Sequence, residues 1–170
     1  MIVILMGVTG TGKTTIANEL IAATGWKFAE GDDYHSEANR AKMKAAIPLN
    51  DADRAPWLET LHQVLLGWQQ QGESGVLTCS ALKQTYRDTL SSGLAPGSYQ
   101  FVVLEAPKAL IAERLAKRHH EYMNPALLDS QLATLENPKD ALHVSVEGTP
   151  VEIAQKILDE LKVTAIHPLQ

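Results

Sequence analysis

The chain has 170 residues, 45% hydrophobic and 21% charged, which is enough for one globular domain with a single core. A net charge of −5 and a pI near 5.6 argue against a nucleic-acid-binding protein, which would carry a basic patch or stripe, and no apolar run approaches the about 20 residues of a membrane-spanning helix. The single cysteine, Cys79, excludes an intrachain disulfide and fits a reducing cytoplasm.

Residues 2–6 form an unbroken apolar run, the pattern of a strand buried on both faces. A helix is predicted over 13–23, where Ile16, Ala17, Leu20 and Ile21 recur at helical spacing, and a short strand over 27–30. Helices follow over 37–45 and 56–71, then a strand over 75–79, a short helix over 83–90 and a strand over 99–105. Helices over 110–117 and 125–135 and a fifth strand over 142–146 come next. The last helix has a marked start, with Thr149 and Glu152 as a capping box and Pro150 at the first helical position. Strands alternating with helices predict an α/β fold: a five-stranded parallel sheet with helices on both faces. Residues 48–56 and 119–125 are polar irregular stretches, read as functional loops of one domain rather than as linkers.

The most specific motif is Gly7-Val8-Thr9-Gly10-Thr11-Gly12-Lys13-Thr14, a full G-x-x-x-x-G-K-[ST] phosphate loop between a buried strand and a helix. Its glycines let backbone N–H groups turn inward around phosphate oxygens, and the following helix adds the positive end of its dipole. Lys13 is expected to reach the β- and γ-phosphates, and the Thr14 hydroxyl to coordinate Mg²⁺. Thr15 and Arg114 complete the expected nucleotide-binding set. The loop by itself specifies a nucleotide phosphate, since GTPases, motor ATPases and kinases share it. No Asn-Lys-x-Asp is present for a guanine site, and a chain this short suits a small-molecule kinase better than a motor.

The acceptor side is expected beyond the carboxyl ends of the neighbouring strands. The second strand runs into Glu30-Gly31-Asp32-Asp33-Tyr34-His35. Asp32, aimed by the glycine before it, is the favoured carboxylate to orient the attacking hydroxyl or accept its proton. His35 is either a ligand of substrate hydroxyls or a helix-start residue. Residues 48–58 place Asp51, Asp53, Arg54, Pro56 and Trp57 at a helix start. Asp53 reads as the cap, with Pro56 inside the first turn. Arg54 opposes the helix dipole there and is a candidate to pair with a carboxylate. Ser80 ends the third strand. Lys83 and Arg87 are four residues apart and share a helical face, which is either a solvated basic face or an anion site. Arg114 and Arg118 repeat that spacing before His119 and His120, in a segment read as a lid over about 118–126 that steadies charge on the transferring phosphoryl group. Cys79 reads as a core residue.

Taken together, these segments resemble the gluconokinase family of carbohydrate kinases. The resemblance is carried by Gly7 to Thr14, Gly31-Asp32 with His35, Asn39 with Lys42-Met43, Pro48-Leu49-x-Asp51-x-Asp53-Arg54-x-Pro56-Trp57-Leu58, Cys79 to Lys83 with Tyr86-Arg87, and Leu127-Leu128-x-Ser130-Gln131 with Leu135-Glu136-x-Pro138, over about residues 2–161. It implies a P-loop NTPase fold akin to nucleoside monophosphate and shikimate kinases, with a substrate-binding insertion over about 35–60. It also implies ATP- and Mg²⁺-dependent phosphorylation of D-gluconate at its 6-hydroxyl by a cytoplasmic homodimer. The residues carried over are Lys13, Asp32 and Arg118 for catalysis, and Asp32, His35, Lys42, Arg54, Trp57, Ser80, Lys83, Arg87, His120 and Gln131 for substrate. Ala46 departs from the family's glycine, Glu30 from its common aspartate and Ser91 from a frequent arginine, and the 119–125 wording differs. The competing readings are a kinase for another hydroxy-acid such as shikimate, and a nucleotide-binding sensor without catalysis.

Overall fold

The structure is a computed structural model and describes residues 1–117 and 125–169. In chain order the elements are β1 (Ile2–Met6), α1 (Lys13–Thr24), β2 (Lys27–Glu30), α2 (Glu37–Lys44), α3 (Asp51–Gln70), β3 (Gly75–Thr78), α4 (Gln84–Ser91), β4 (Tyr99–Glu105), α5 (Lys108–Lys117), α6 (Pro125–Thr134), β5 (Leu142–Ser145) and α7 (Pro150–Glu160). A one-turn 3₁₀ helix, Gly31–Tyr34, follows β2. The five strands form one parallel sheet in the order β2-β3-β1-β4-β5.

Central position explains the composition of β1. All five of its residues are at most 1% exposed, and they alternate between two cores. Ile2, Ile4 and Met6 pack with Trp57, Leu61 and Leu65 of α3 and Leu90 of α4. Val3 and Leu5 pack with Ile16 and Leu20 of α1 and Ile153 and Ile157 of α7. A continuous apolar strand is therefore a period-two pattern satisfied twice. Each of these fully buried aliphatic side chains contributes about 1.5–3 kcal/mol of burial. A third cluster, of Val8, Leu82, Ile111 and Leu128, ties α5 and α6 to the loops above the sheet.

The predicted elements are all present, and α7 starts with the expected Thr149–Glu152 capping box and Pro150. The chief correction concerns α3. It begins at Asp51 rather than at residue 56, capped by Asn50 with Asp53 closing a capping box, so Pro56 lies in the second turn. Asn-x-x-Asp satisfies the first backbone donors well enough to start the helix upstream of the proline, whose missing N–H costs one interior bond. Helix α4 likewise starts one residue late: Lys83 is its N-cap, in extended conformation.

Candidate active site

The phosphate loop joins the central strand β1 to α1, so its cradle sits at the carboxyl rim of the sheet. Gly7 has φ +142°, and a Cβ there would lie 2.9 Å from the Leu104 carbonyl oxygen. The loop is braced from within by the Thr11 hydroxyl, which donates to Val8 O at 2.9 Å. Lys13 Nζ donates to Gly7 O and Val8 O at 3.0 and 3.2 Å, spanning the loop's first peptides. Gly12 is the N-cap of α1 and Thr14 is exposed in its first turn. Arg114 of α5 donates to Thr11 O at 3.4 Å. Beside it opens a cleft of about 350 Å³, lined by Thr11, Gly12, Thr15, Arg114, Gly148 and Pro150 among others.

The second strand brings a carboxylate to this cradle. The Thr14 hydroxyl donates to Glu30 Oε2 at 2.5 Å, and the Thr78 hydroxyl donates to Glu30 Oε1 at 2.7 Å. Glu30 thus bridges the end of the phosphate loop and β3. The sequence reading noted Glu30 only as a departure from a family pattern; its place at the end of β2, before Gly31, was the signal available. Hydroxyl and carboxylate oxygens are the hard donors Mg²⁺ prefers, and Mg²⁺ commonly takes one or two protein ligands and completes its shell with water and phosphate. No group of three or more His, Cys, Asp or Glu side chains placed to hold a metal ion exists among the described residues.

Asp32 is exposed on the 3₁₀ turn immediately after Glu30. Two features hold that turn. Gly31 abuts β3 so closely that a Cβ would lie 2.2 Å from Thr78 O. The Trp57 indole N–H donates to Gly31 O at 2.8 Å, from a side chain only 5% exposed. Trp57 also stacks on His35, with centroids 4.2 Å apart and planes at 15°. Asn39 Nδ2 lies 3.3 Å from His35 Nδ1 and donates to Asp53 O at 2.9 Å. The amide donor makes Nδ1 the acceptor, so His35 carries its proton on Nε2. Burial holds its pKa below the ordinary value, against the opposing pull of Asp32. Trp57 and His35 therefore brace the Asp32 turn. Arg40, which sequence reasoning passed over, clasps the same turn by donating to His35 O and Asp33 O.

Beneath the rim, burial pushes the Cys79 thiol up to about 12, which removes it as a nucleophile and agrees with its reading as a core residue. The same thiol feels the charges of Asp32, Lys13 and Glu30, which stand at or after the ends of β2 and β1 on either side of β3. Ser80 follows β3, and its carbonyl accepts the Gly7 N–H at 3.4 Å.

The basic residues divide. Lys83 extends over the surface to Asp51, 3.2 Å from Oδ1 and 3.3 Å from Oδ2. Arg54 Nη1 donates to the Tyr86 hydroxyl at 3.2 Å, and that hydroxyl donates to Asp51 at 2.5 Å. Lys42 instead makes a bidentate pair with Asp53, 2.9 Å to each oxygen, and struts α2 against α3. Arg87 departs from the expected shared face with Lys83. Lys83 is outside the helix and points out, whereas Arg87 is 2% exposed and points in. Its guanidinium donates to Ala81 O, Leu82 O, Gln84 Oε1 and Glu136 O at 2.8–3.1 Å. Those acceptors engage both terminal nitrogens, and Nε is buried with no hydrogen-bond partner among the described residues. Gln131 of α6 is on the donor side, where its Oε1 accepts the Thr9 N–H at 2.8 Å. Arg118 and His120 lie outside the described residues.

Residues 2–138 match the AAA domain family. The chain is 44% identical over 158 residues to a gluconokinase of Gluconobacter oxydans (strain 621H), which covers 91% of this chain and 88% of that one. It superposes on a gluconokinase from Sinorhizobium meliloti 1021 with a TM-score of 0.83 and 38% identity, over 94% of this chain and 90% of that one. A shikimate kinase from Aquifex aeolicus covers 95% of this chain and 96% of its own at TM-score 0.59 and 16% identity, a likeness of fold alone. With that level of identity along nearly the whole of both sequences, and a phosphate loop and carboxylate turn on one rim, this chain belongs to the gluconokinase family of P-loop kinases.

Proposed function

We propose that the protein transfers the γ-phosphoryl group of ATP to the 6-hydroxyl of D-gluconate, giving 6-phosphogluconate. The observation that carries this reading is the Thr14–Glu30 contact, which ties the phosphate loop to the carboxylate turn bearing Asp32, with the cationic Lys83–Arg54–Tyr86 group on the acceptor side. Backbone N–H groups of residues 7–14 and the α1 dipole hold the donor phosphates, and Lys13 shifts from Gly7 O and Val8 O onto them. Thr14 and Glu30 are the residues that would hold Mg²⁺, which when bound neutralises charge on the bridging phosphate oxygens. The cleft beside Thr15, Arg114 and Pro150 is the place for the nucleoside. Asp32, fixed by Gly31 and Trp57, orients the acceptor hydroxyl and takes its proton as the O–P bond forms. Lys83 and Arg54 draw in the acceptor's carboxylate, with His35 and Ser80 beside its hydroxyls. Arg118 and His120 are assigned to the same reaction by family resemblance, as are a homodimeric state and a cytoplasmic location.

The test is turnover of purified protein with ATP and Mg²⁺ across a panel of sugar acids and shikimate. Gluconate is expected to be the preferred acceptor; turnover of shikimate without gluconate would sink the assignment. Asp32→Asn is expected to keep ATP binding and lose about 10²-fold or more in kcat. ATP binding with no acceptor phosphorylated would point to a sensor.

A further inference from the structure

Asp51 is held by more cationic and hydroxyl donors than its place in the fold requires. Lys83 reaches both of its oxygens, Tyr86 donates to one of them, and Arg54 donates to Tyr86. Arg54 Cζ and Lys83 Nζ each lie 5.6 Å from the centroid of the Tyr86 ring, so two cations are gathered on one buried aromatic. These partners converge on a single carboxylate, and they depress its pKa, with the Tyr86 hydrogen bond first among the causes.

The cap of α3 does not use that carboxylate. The start of α3 is capped by Asn50 and Asp53, which exchange both bonds of the capping box without Asp51. The Asp51 side chain is 66% exposed, so moving it unpacks no core. Asp53, two residues on, is the contrast: it is 18% exposed, pairs bidentately with Lys42 and closes the cap. An exposed ion pair such as Asp51–Lys83 contributes little, so exchanging one carboxylate for another in that cradle is nearly neutral.

We propose that Asp51 is an internal stand-in for the acceptor's carboxylate: in the free protein it occupies the Lys83–Tyr86–Arg54 cradle, and the incoming sugar acid turns it out and takes its place. This inference rests on the acceptor assignment above and extends it to the free protein. A neutral polyol of the same length has no carboxylate to place in the cradle, so its binding does not compete with Asp51.

Calorimetric binding of gluconate and of glucitol, its uncharged analogue, with Mg²⁺ and a nonhydrolysable ATP analogue present, tests this. Asp51→Asn is expected to tighten the gluconate Kd by about two- to fivefold, the size of an exposed ion pair. In a Lys83→Met background the same substitution is expected to have no effect, because the exchange has lost its cation. Both side chains are at the surface, so neither variant threatens folding. A weaker or unchanged gluconate Kd in Asp51→Asn would overturn the stand-in and make Asp51 a ligand or an organiser. A tightening that persists with Lys83→Met, or that glucitol shares, would also overturn it, as simple repulsion or general opening. Absence of gluconate binding by the unaltered protein would remove the acceptor assignment, and the stand-in with it.

Discussion

Ala46 shows how one residue carries a local cost. It follows the C-cap of α2 with φ 55°, the left-handed region that disfavours a Cβ. The Ile47 N–H bonds to Lys42 O and the Ala46 N–H to Met43 O, the paired bonds of a Schellman ending. The helix therefore ends as a glycine would end it, and alanine bears the strain. Ala46→Gly is expected to stabilise the fold by about 0.5–1 kcal/mol, since relief of the left-handed strain outweighs the added chain entropy; an unmoved denaturation midpoint would contradict this. Trp57 matters through one atom. Trp57→Phe leaves Gly31 O without its indole donor, at a cost of about 1–3 kcal/mol in stability. Because Gly31 precedes Asp32, kcat is expected to fall as well. An unaltered kcat would show that the turn is held without the indole donor.

At the scale of elements, Arg87 joins three pieces of chain. It binds the carbonyls of Ala81 and Leu82 from α4, and that of Glu136 beyond α6. Ala81 sits at φ 46°, so the guanidinium stabilises a turn that alanine would not hold alone. Glu136 answers through its side chain, which accepts the Gln84 N–H at 3.1 Å, and through its N–H, which donates to Leu82 O. Burial lowers the Arg87 pKa, opposed by Glu136, yet an arginine stays charged. Arg87→Met is expected to destabilise by about 1–3 kcal/mol, because it strands the buried Ala81 carbonyl and removes the bonds to Gln84 and Glu136. Urea denaturation would measure this. A loss confined to gluconate affinity, with stability intact, would return Arg87 to the substrate side. The helical spacing of Lys83 and Arg87 was legible in the sequence. Their opposite directions were not, because the extended N-cap at Lys83 breaks the periodicity on which the shared face depended.

Across the whole molecule, the sheet order puts the ends of β1, β2 and β3 side by side, which brings Glu30 within hydrogen-bond reach of Thr14 and Thr78. On the opposite side of β1, His143 of β5 clasps Glu105 of β4 through Nδ1 at 2.5 Å, and its Nε2 meets Pro138 O at 2.8 Å. Two acceptors favour the doubly protonated ring, and the Glu105 hydrogen bond is the first cause of its raised pKa. A raised folded pKa means that this contribution is complete below the ordinary value of 6.5 and is lost as pH climbs through the higher folded value. The melting temperature is expected to fall over that window, and His143→Gln to flatten that part of the profile. Parallel profiles for the two proteins would discount the clasp.

The sequence by itself determined the phosphate loop, the doubly buried central strand, the capped start of α7 and the α/β alternation. Each of these is a local pattern: glycine spacing, period-two burial, or a cap and its partner three residues apart. Only the tertiary structure decided how the remaining charged side chains pair. Glu30 reaches Thr78 across 48 residues, Arg87 reaches Glu136 across 49, and Asp51 reaches Tyr86 across 35. Such pairings are set by strand order and by where each crossover returns, and no periodicity along the chain records them. The phosphate loop was therefore readable as a motif, whereas the cluster of Asp51, Lys83, Tyr86 and Arg54, with Arg87 buried apart from Lys83, exists only once the sheet has assembled.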